Sequence, residues 1–488
     1  MSHTAPAGAA SRPGLIITAL AIVAAVSALQ QAVVVPILPR LQVAFDTSLA
    51  SVSWALTVSL LVGAIATPIA GRLGDMLGHK KVLVGVVALL VLGSVVGAVG
   101  TSLPMFLVAR VLQGCSAAVV PLSIGLLRGT VPASRLGFGI GVVAAMVGAG
   151  NGLGLLLAGV VSQMGLGYQP LFWIMVAVAA IGLLLAGVCV PAGDKRSDGK
   201  LDLGGAGLLS GALLSLLLAV GQGSAWGWDS PVTLGLFAAA VVLGTALAVF
   251  ESRVGNPLVD IAMLRDRRTV GATSASLFLG FGLFGAFFLV PSFVQHPAAL
   301  GYGFGASALG AAVYLLPTTV LMLVISLVSG RVVKKLSAAW TVALGSTLTS
   351  GALVMLALFH SDSVEIYIAT SVMGLGIGLS FAALGTMSVE HVSPDQTAAA
   401  NGVNSLARMI GGSIAAPVIT AILAAGSASD SASPRVGGYA AGFAVAAVGA
   451  AVAAVTAAVA VRANRTVDPR KPVDHSAALA PSAERGTV

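Results

Sequence analysis

Charge is what this sequence lacks most. Asp, Glu, Lys and Arg make up 9% of its 488 residues, against about 25% in an ordinary soluble domain. That scarcity excludes a soluble globular class. No carboxylate stands in the middle of any long apolar run. Cysteine is nearly absent too. Cys115 and Cys189 both lie inside apolar stretches, so neither a disulfide framework nor a metal site is expected. No H-E-x-x-H, no G-x-S-x-G and no paired aspartates occur at membrane depth, which argues against an intramembrane enzyme. Residues 1–13 are small and polar with no A-x-A site after a short apolar core, so no secretory signal peptide is expected.

What is present is apolar length. Hydrophobic residues make up 57% of the chain, beside 61 glycines, and they form runs long enough to cross a ~30 Å hydrocarbon core. The runs are continuous rather than alternating, which excludes a transmembrane β-barrel. Fourteen spans are predicted: 15–38, 51–71, 82–100, 104–127, 137–162, 170–190, 203–222, 232–251, 270–295, 305–329, 338–359, 364–388, 398–424 and 437–461. With the N-terminus inside, 21 of the 25 Lys and Arg fall in inner segments. That asymmetry predicts a multi-pass cell-membrane protein with both termini cytoplasmic. The net charge of +8 therefore reflects orientation, and no nucleic-acid partner is expected. The tail at 463–488 is rich in Pro, Ala and charge and is expected to be disordered.

The sequence also repeats itself. "AIATPIAGRLGDMLGHKKVLVG" matches "VISLVSGRVVKKLSAAWTVALG", pairing Gly71 with Gly330 at an offset of 259. Further on, "ARVLQGCSAAVVPLSIG" matches "ATSVMGLGIGLSFAALG", pairing Gly114 with Gly374 at an offset of 260. Two duplicated six-span halves follow, with a hairpin inserted between them, and parallel repeats of this kind enclose a midplane site in transporters. The expected organisation is a cytoplasmic N-tail (1–13), a first six-helix bundle (14–190), an inserted hairpin with cytoplasmic linkers (191–268), a second bundle (269–462) and the tail (463–488).

The inner loop "GRLGDMLGHKK" resembles the loop signature of the major facilitator superfamily in Gly71, Leu73, Asp75, Gly78 and Lys80, with Met76 and His79 where that family prefers Arg. A conformational latch of Gly71, Arg72, Asp75, Gly78 and Lys80 is expected, Asp75 sitting against helix N-terminal amides. "ARVLQG" resembles the family's Arg-x-x-Gln-Gly in Arg110, Gln113 and Gly114. In the family this Arg is linked to proton coupling; an Arg bonded to helix-end carbonyls is the structural alternative. "VGAGNGLG" is a weakened form of the exporters' fifth-span motif, and Gly114, Gly148, Gly150 and Gly154 are expected to serve helix packing. "LDLGGAGLLSGALLSLLLAVGQGSAWGW" and "ANGVNSLARMIGGSIA" are similar to the branch of 14-span drug:proton antiporters. The resemblance implies an all-α integral membrane fold of two pseudo-symmetric six-helix bundles plus the inserted hairpin.

It also implies a secondary transporter exporting small amphipathic compounds of the drug or antibiotic type by alternating access. Such a protein needs no cofactor beyond a proton or other ion gradient, and its partners are a small-molecule substrate and the lipid bilayer, with the chain as a monomer. The expected substrate and proton pathway comprises Gln30, Gln31, Trp54, Thr57, Arg110, Gln113, Asn151, Tyr314, Thr318, Asn404 and Arg408. Of the two adjacent amides, Gln30 is expected to face the cavity and Gln31 to tie span one to a neighbour, since successive helical positions point about 100° apart. Gln30 stands where the branch keeps an aspartate, and Gln carries no proton. Weak or differently wired proton coupling is therefore expected. The candidates left for a proton are peripheral: Asp46, His296, Glu365, Glu390 and His391. Two arginines within spans and no buried acid keep an anion or metabolite carrier, working by symport or uniport, as the alternative.

Overall fold

The computed structural model describes residues 13–47, 49–191, 202–254, 267–298, 301–390, 392, 397–425 and 435–465. The expected tail, both linkers of the hairpin and His391 lie wholly or mostly outside the described residues. The helices are α1 (Pro13–Ala32), α2 (Val34–Ala44), α3 (Leu49–Leu77), α4 (His79–Val99), α5 (Leu103–Gly114), α6 (Val119–Thr130), α7 (Ala133–Gln163) and α8 (Gln169–Cys189). They continue with α9 (Leu203–Trp226), α10 (Pro231–Glu251), α11 (Arg267–Gln295), α12 (Ala308–Leu336), α13 (Ala338–Leu358), α14 (Ser363–Val389), α15 (Thr397–Ala425) and α16 (Val436–Arg465). Among the described residues there is no strand. Fourteen segments are long and apolar enough to span a membrane, and α5 and α6 share one of them across a single 3₁₀ turn.

All fourteen expected spans correspond to helices. Ends differ most at α3 and α12, which run to Leu77 and Leu336 where hydropathy stops at 71 and 329. Arg72, Asp75, Arg331 and Lys334 end the apolar run, but nothing in them ends a helix. The first span is broken instead of continuous, parting at Val33 between α1 and α2. Pro36 has no N–H to offer the Ala32 carbonyl and its ring crowds that oxygen. The side chains facing outward are what lipid requires: Val188 is 74% exposed and Leu184 65%, a burden that water would not tolerate across a whole belt.

The duplication is written in the backbone. Helices α3 and α12 begin and end 259 residues apart, as do α4 and α13. The turn between them needs a positive φ at the same repeat position, +96° at Gly78 and +77° at Ser337, a conformation that costs a non-glycine residue about 1–2 kcal/mol. Gly114 and Gly374 perform the same task too. A Cβ on Gly114 would stand 2.7 Å from the Ser59 carbonyl oxygen, and one on Gly374 2.5 Å from that of Thr318; Ser59 and Thr318 are themselves 259 apart.

Packing groups α1 with α7 and α8, α4 with α5 and α8, and α11 with α15 and α16. The halves meet along α7 and α12, where glycines let the backbones close. A Cβ on Gly141 would lie 2.7 Å from the Ser326 carbonyl oxygen, on Gly148 2.4 Å from Met322 Sδ, and on Gly152 2.4 Å from the Thr319 side chain. Gly150 and Gly154, on the other face of α7, press on the Ala25 and Leu29 carbonyls of α1. The expected packing glycines thus serve two contacts, one within the first half and one between halves. On the opposite side α3 meets α15, and α9 covers that junction: Leu209 and Leu213 pack with Leu61 of α3 and Leu406 of α15. Helix α10 leans on α9 and presents its remaining surface outward.

Candidate substrate site between the two halves

Inside the first half, polar side chains form a hydrogen-bonded relay, at whose end Gln30 Oε1 is buried without a partner among the described residues. Gln30 Nε2 of α1 donates to Ser94 Oγ of α4 at 2.5 Å, and Ser94 donates onward to the Leu90 carbonyl at 2.7 Å. Gln113 Nε2 of α5 reaches the same hydroxyl at 3.4 Å. Arg110 donates from Nη1 to Gln113 Oε1 at 2.7 Å and from Nε to the Ala55 carbonyl of α3 at 3.0 Å. Arg110 is 2% exposed and Gln30 2%. Among the described residues no carboxylate lies within ion-pairing distance of Arg110. The guanidinium is thus bonded to one side-chain amide and to one carbonyl within α3, not at a helix end.

The cavity lies elsewhere. A void of about 40 Å³ opens between the halves, walled by Val120 and Ile124 of α6, Ile140, Val143 and Val147 of α7, Phe381 and Gly385 of α14, and Asn401, Asn404, Ser405 and Arg408 of α15. Every wall comes from a different bundle than the one it faces. The volume suits water molecules, not a drug-sized compound. Arg408 stacks on the Phe381 ring, its Cζ 4.7 Å from the centroid, and makes a long hydrogen bond from Nη2 to Ser405 Oγ at 3.4 Å. Asn404 Nδ2 donates to Ser388 Oγ at 2.6 Å, leaving Oδ1 buried without a partner among the described residues. Among the described residues no carboxylate or imidazole lines the cavity, and none pairs with Arg408.

Of the eleven expected pathway residues, the structure therefore brings Asn404 and Arg408 to the cavity. Gln30, Arg110 and Gln113 belong to the relay within the first half, because helix register turns them toward α4 and α3. Gln30, expected to face the cavity, instead ties α1 to α4, and Gln31 is half-buried and does not line the cavity. Thr57 approaches Gly221 of the hairpin at 3.8 Å when a Cβ is built there, and Trp54 and Asn151 are half-buried away from the cavity. Thr318 donates to the Thr370 carbonyl at 2.7 Å. Tyr314 bonds Ser363 Oγ at 2.7 Å and stacks on Tyr367, centroids 4.8 Å apart. Both therefore tie α12 to α14. Asn401, Ser405 and Phe381 went unnamed in the sequence, although positions 401, 404, 405 and 408 fall on one helical face.

The latch residues gather at the basic end of the bundle, where α1 begins. Asp75 pairs through Oδ1 with His79 Nε2 at 3.3 Å, both side chains 4% exposed. Asp75 was expected against the amides at the start of α4; one helical turn instead brings the imidazole to it, and Gly78 caps that end with no side chain. Gly71 is buried, and Arg72 and Lys80 are half-buried. At this end the halves also join through Arg128, whose Nη2 donates to the Val392 carbonyl at 3.0 Å.

The opposite end is held by other means. Arg40 donates to the carbonyls of Val161, Ser162 and Leu166 at the end of α7, which suits a cation at a helix C-terminus. Glu365 Oε2 accepts from the Ser361 and Asp362 amides at 2.8 and 3.1 Å, so this candidate for the proton is bound as a helix cap. His296 meets the Tyr439 hydroxyl at 2.8 Å beneath Tyr302, and burial holds its pKa below the usual imidazole value.

The comparisons agree with one another. The model of the Major Facilitator Superfamily matches residues 20–416, with an overlapping match over 275–484. The chain is 31% identical over 430 residues to the tetracenomycin C resistance and export protein of Streptomyces glaucescens, covering 87% of this chain and 78% of that one. It is 25% identical over 421 residues to the multidrug transporter protein MdtP of Bacillus subtilis, covering 85% and 76%. Among solved structures, the human organic anion transporter MFSD10 superposes with a TM-score of 0.66 over 91% of this chain and 99% of that one, at 17% identity, a likeness of fold.

Proposed function

This chain belongs to the major facilitator superfamily, a family of membrane transporters and not of enzymes, and on that premise we propose that it exports small amphipathic compounds across the cell membrane by alternating access. The observation that carries the reading is the cavity walled by α6 and α7 of one half and α14 and α15 of the other, apolar except along the α15 face of Asn401, Asn404, Ser405 and Arg408. Rocking one half against the other would open that space to either side in turn. Two relatives are named for export or multidrug transport, which favours efflux over uptake. The lysine and arginine bias supports cytoplasmic termini, and in this reading the Arg128–Val392 closure lies on the inner side.

An ion gradient supplies the energy in this reading, but proton drive is weak. A titrating group at membrane depth is normally a carboxylate or histidine; among the described residues none lines the cavity, and Gln30 and Glu365 are both engaged in structural bonds. Expression in a pump-deficient bacterium against a panel of antibiotics and dyes tests the export reading. Raised resistance and faster dye efflux are expected, and unchanged accumulation across the whole panel would contradict it. In proteoliposomes with voltage clamped by ionophore, a pH step alone is expected to drive little uptake. Strong drive by that step would overturn the coupling reading.

A further inference from the structure

Arg408 is a permanent charge in a cavity between the halves, and the protein supplies it no counter-charge among the described residues. Its partners are one long bond to Ser405 and the face of Phe381. A guanidinium at membrane depth is costly unless paired or wetted, and this one has space beside it for water-sized occupants. Asn404, one turn earlier on the same face, spends one end of its amide on Ser388 and leaves the other buried and unbonded. The remaining walls are Val120, Ile124, Val143 and Val147.

From this geometry we infer that the cavity selects anionic aromatic substrates, the anionic oxygen pairing with Arg408 and a neighbouring polar group of the compound meeting the free end of the Asn404 amide. The inference rests on the export reading and narrows it to a substrate class. The flat ring system lies against Phe381 and the valine and isoleucine wall. In the closed arrangement water takes the place of the anionic group, and the cavity widens only when the halves part. A carboxylate matches the guanidinium fork in charge and shape, whereas a cation meets it with repulsion.

Carboxyfluorescein, an anionic xanthene dye, and rhodamine 6G, a cationic ester on the same ring system, are the test pair. Binding to the purified full chain is read by fluorescence anisotropy, and efflux is read in the pump-deficient host. Carboxyfluorescein is expected to bind and leave the cell faster than rhodamine 6G. Arg408→Gln is expected to weaken carboxyfluorescein binding about 10- to 100-fold, the usual weight of a charge-assisted hydrogen bond, with rhodamine 6G unaffected or improved. Asn404→Asp, which supplies the missing counter-charge from within, is expected to do the same while keeping the arginine. Arg408→Lys keeps the charge and recovers part of the affinity. Binding of rhodamine 6G in preference to carboxyfluorescein, or equal loss of both in Arg408→Gln, would overturn the inference. Charge-selective binding without efflux of any compound would instead leave this site standing and defeat the export reading.

Discussion

Arg110 of the first half and Arg408 of the second both stand within the apolar runs of the sequence, and their surroundings are opposite. Arg110 is held by two hydrogen bonds, to Gln113 and to the Ala55 carbonyl, within a relay that runs through Ser94 to Gln30. Arg408 rests on a ring and one distant hydroxyl at the edge of an unfilled space. The duplication makes the contrast sharper. The position four residues before Gly114 is Arg110, and the position four before Gly374 is Thr370, whose carbonyl accepts from Thr318. One half therefore joins its second and fourth spans with an arginine and the other with a threonine pair. Polar residues within spans do two different jobs here: filling a bundle's interior, or lining the space between bundles.

Breaking the first interior should have the largest effect. Gly150→Val drives a side chain into the Ala25 carbonyl, which a Cβ would approach within 2.1 Å. A cost of about 3 kcal/mol or more is expected, seen as loss of folded, membrane-inserted protein in fluorescence-detected gel filtration. Arg110→Leu strands Gln113 in an apolar interior, and a loss of about 1–3 kcal/mol is expected, read as a lower melting midpoint with every substrate affected alike. Arg408→Gln, by contrast, should leave that midpoint within about 1 kcal/mol of the parent, since few protein bonds are lost, and change only which substrates move.

Two weaker changes sharpen the comparison at the ends of the bundle. Asp75→Asn removes the charge that faces His79 and should alter the turnover rate several-fold without altering the ratio between anionic and cationic substrates, measured as initial efflux rates. Burial pushes the His296 pKa below the usual imidazole value. The unfolded chain therefore takes up its proton first as pH falls below about 6.5, and folding is expected to weaken slightly in that range. His296→Asn should flatten this slope in a melting series from pH 7.5 to 5.5, with a change smaller than any above.

Most of the fold was legible in the sequence, because span length and duplication are properties of composition and register. The break at Val33 was legible in principle from Pro36 but is hidden inside a continuous apolar run. The site was read less well, and for a physical reason. The relay partners of Gln30 and Arg110 are a serine 64 residues away and a backbone carbonyl, and a carbonyl carries no signature of its own. Expecting polar residues in spans to converge on one cavity merged two separate groups. Positions 401, 404, 405 and 408 did announce a shared face, and that periodicity was the better guide.

Ligand-induced stabilisation of the purified protein by carboxyfluorescein, compared across the parent, Ser94→Ala and Arg408→Gln, tests the division between the two arginine sites most directly. A ligand that binds the folded state raises its melting midpoint in proportion to occupancy. Ser94→Ala disturbs the relay and should melt lower yet still be stabilised by the dye as the parent is. Arg408→Gln should melt near the parent and show no stabilisation. A dye-induced rise in Arg408→Gln equal to the parent's, or its loss in Ser94→Ala, would contradict the account.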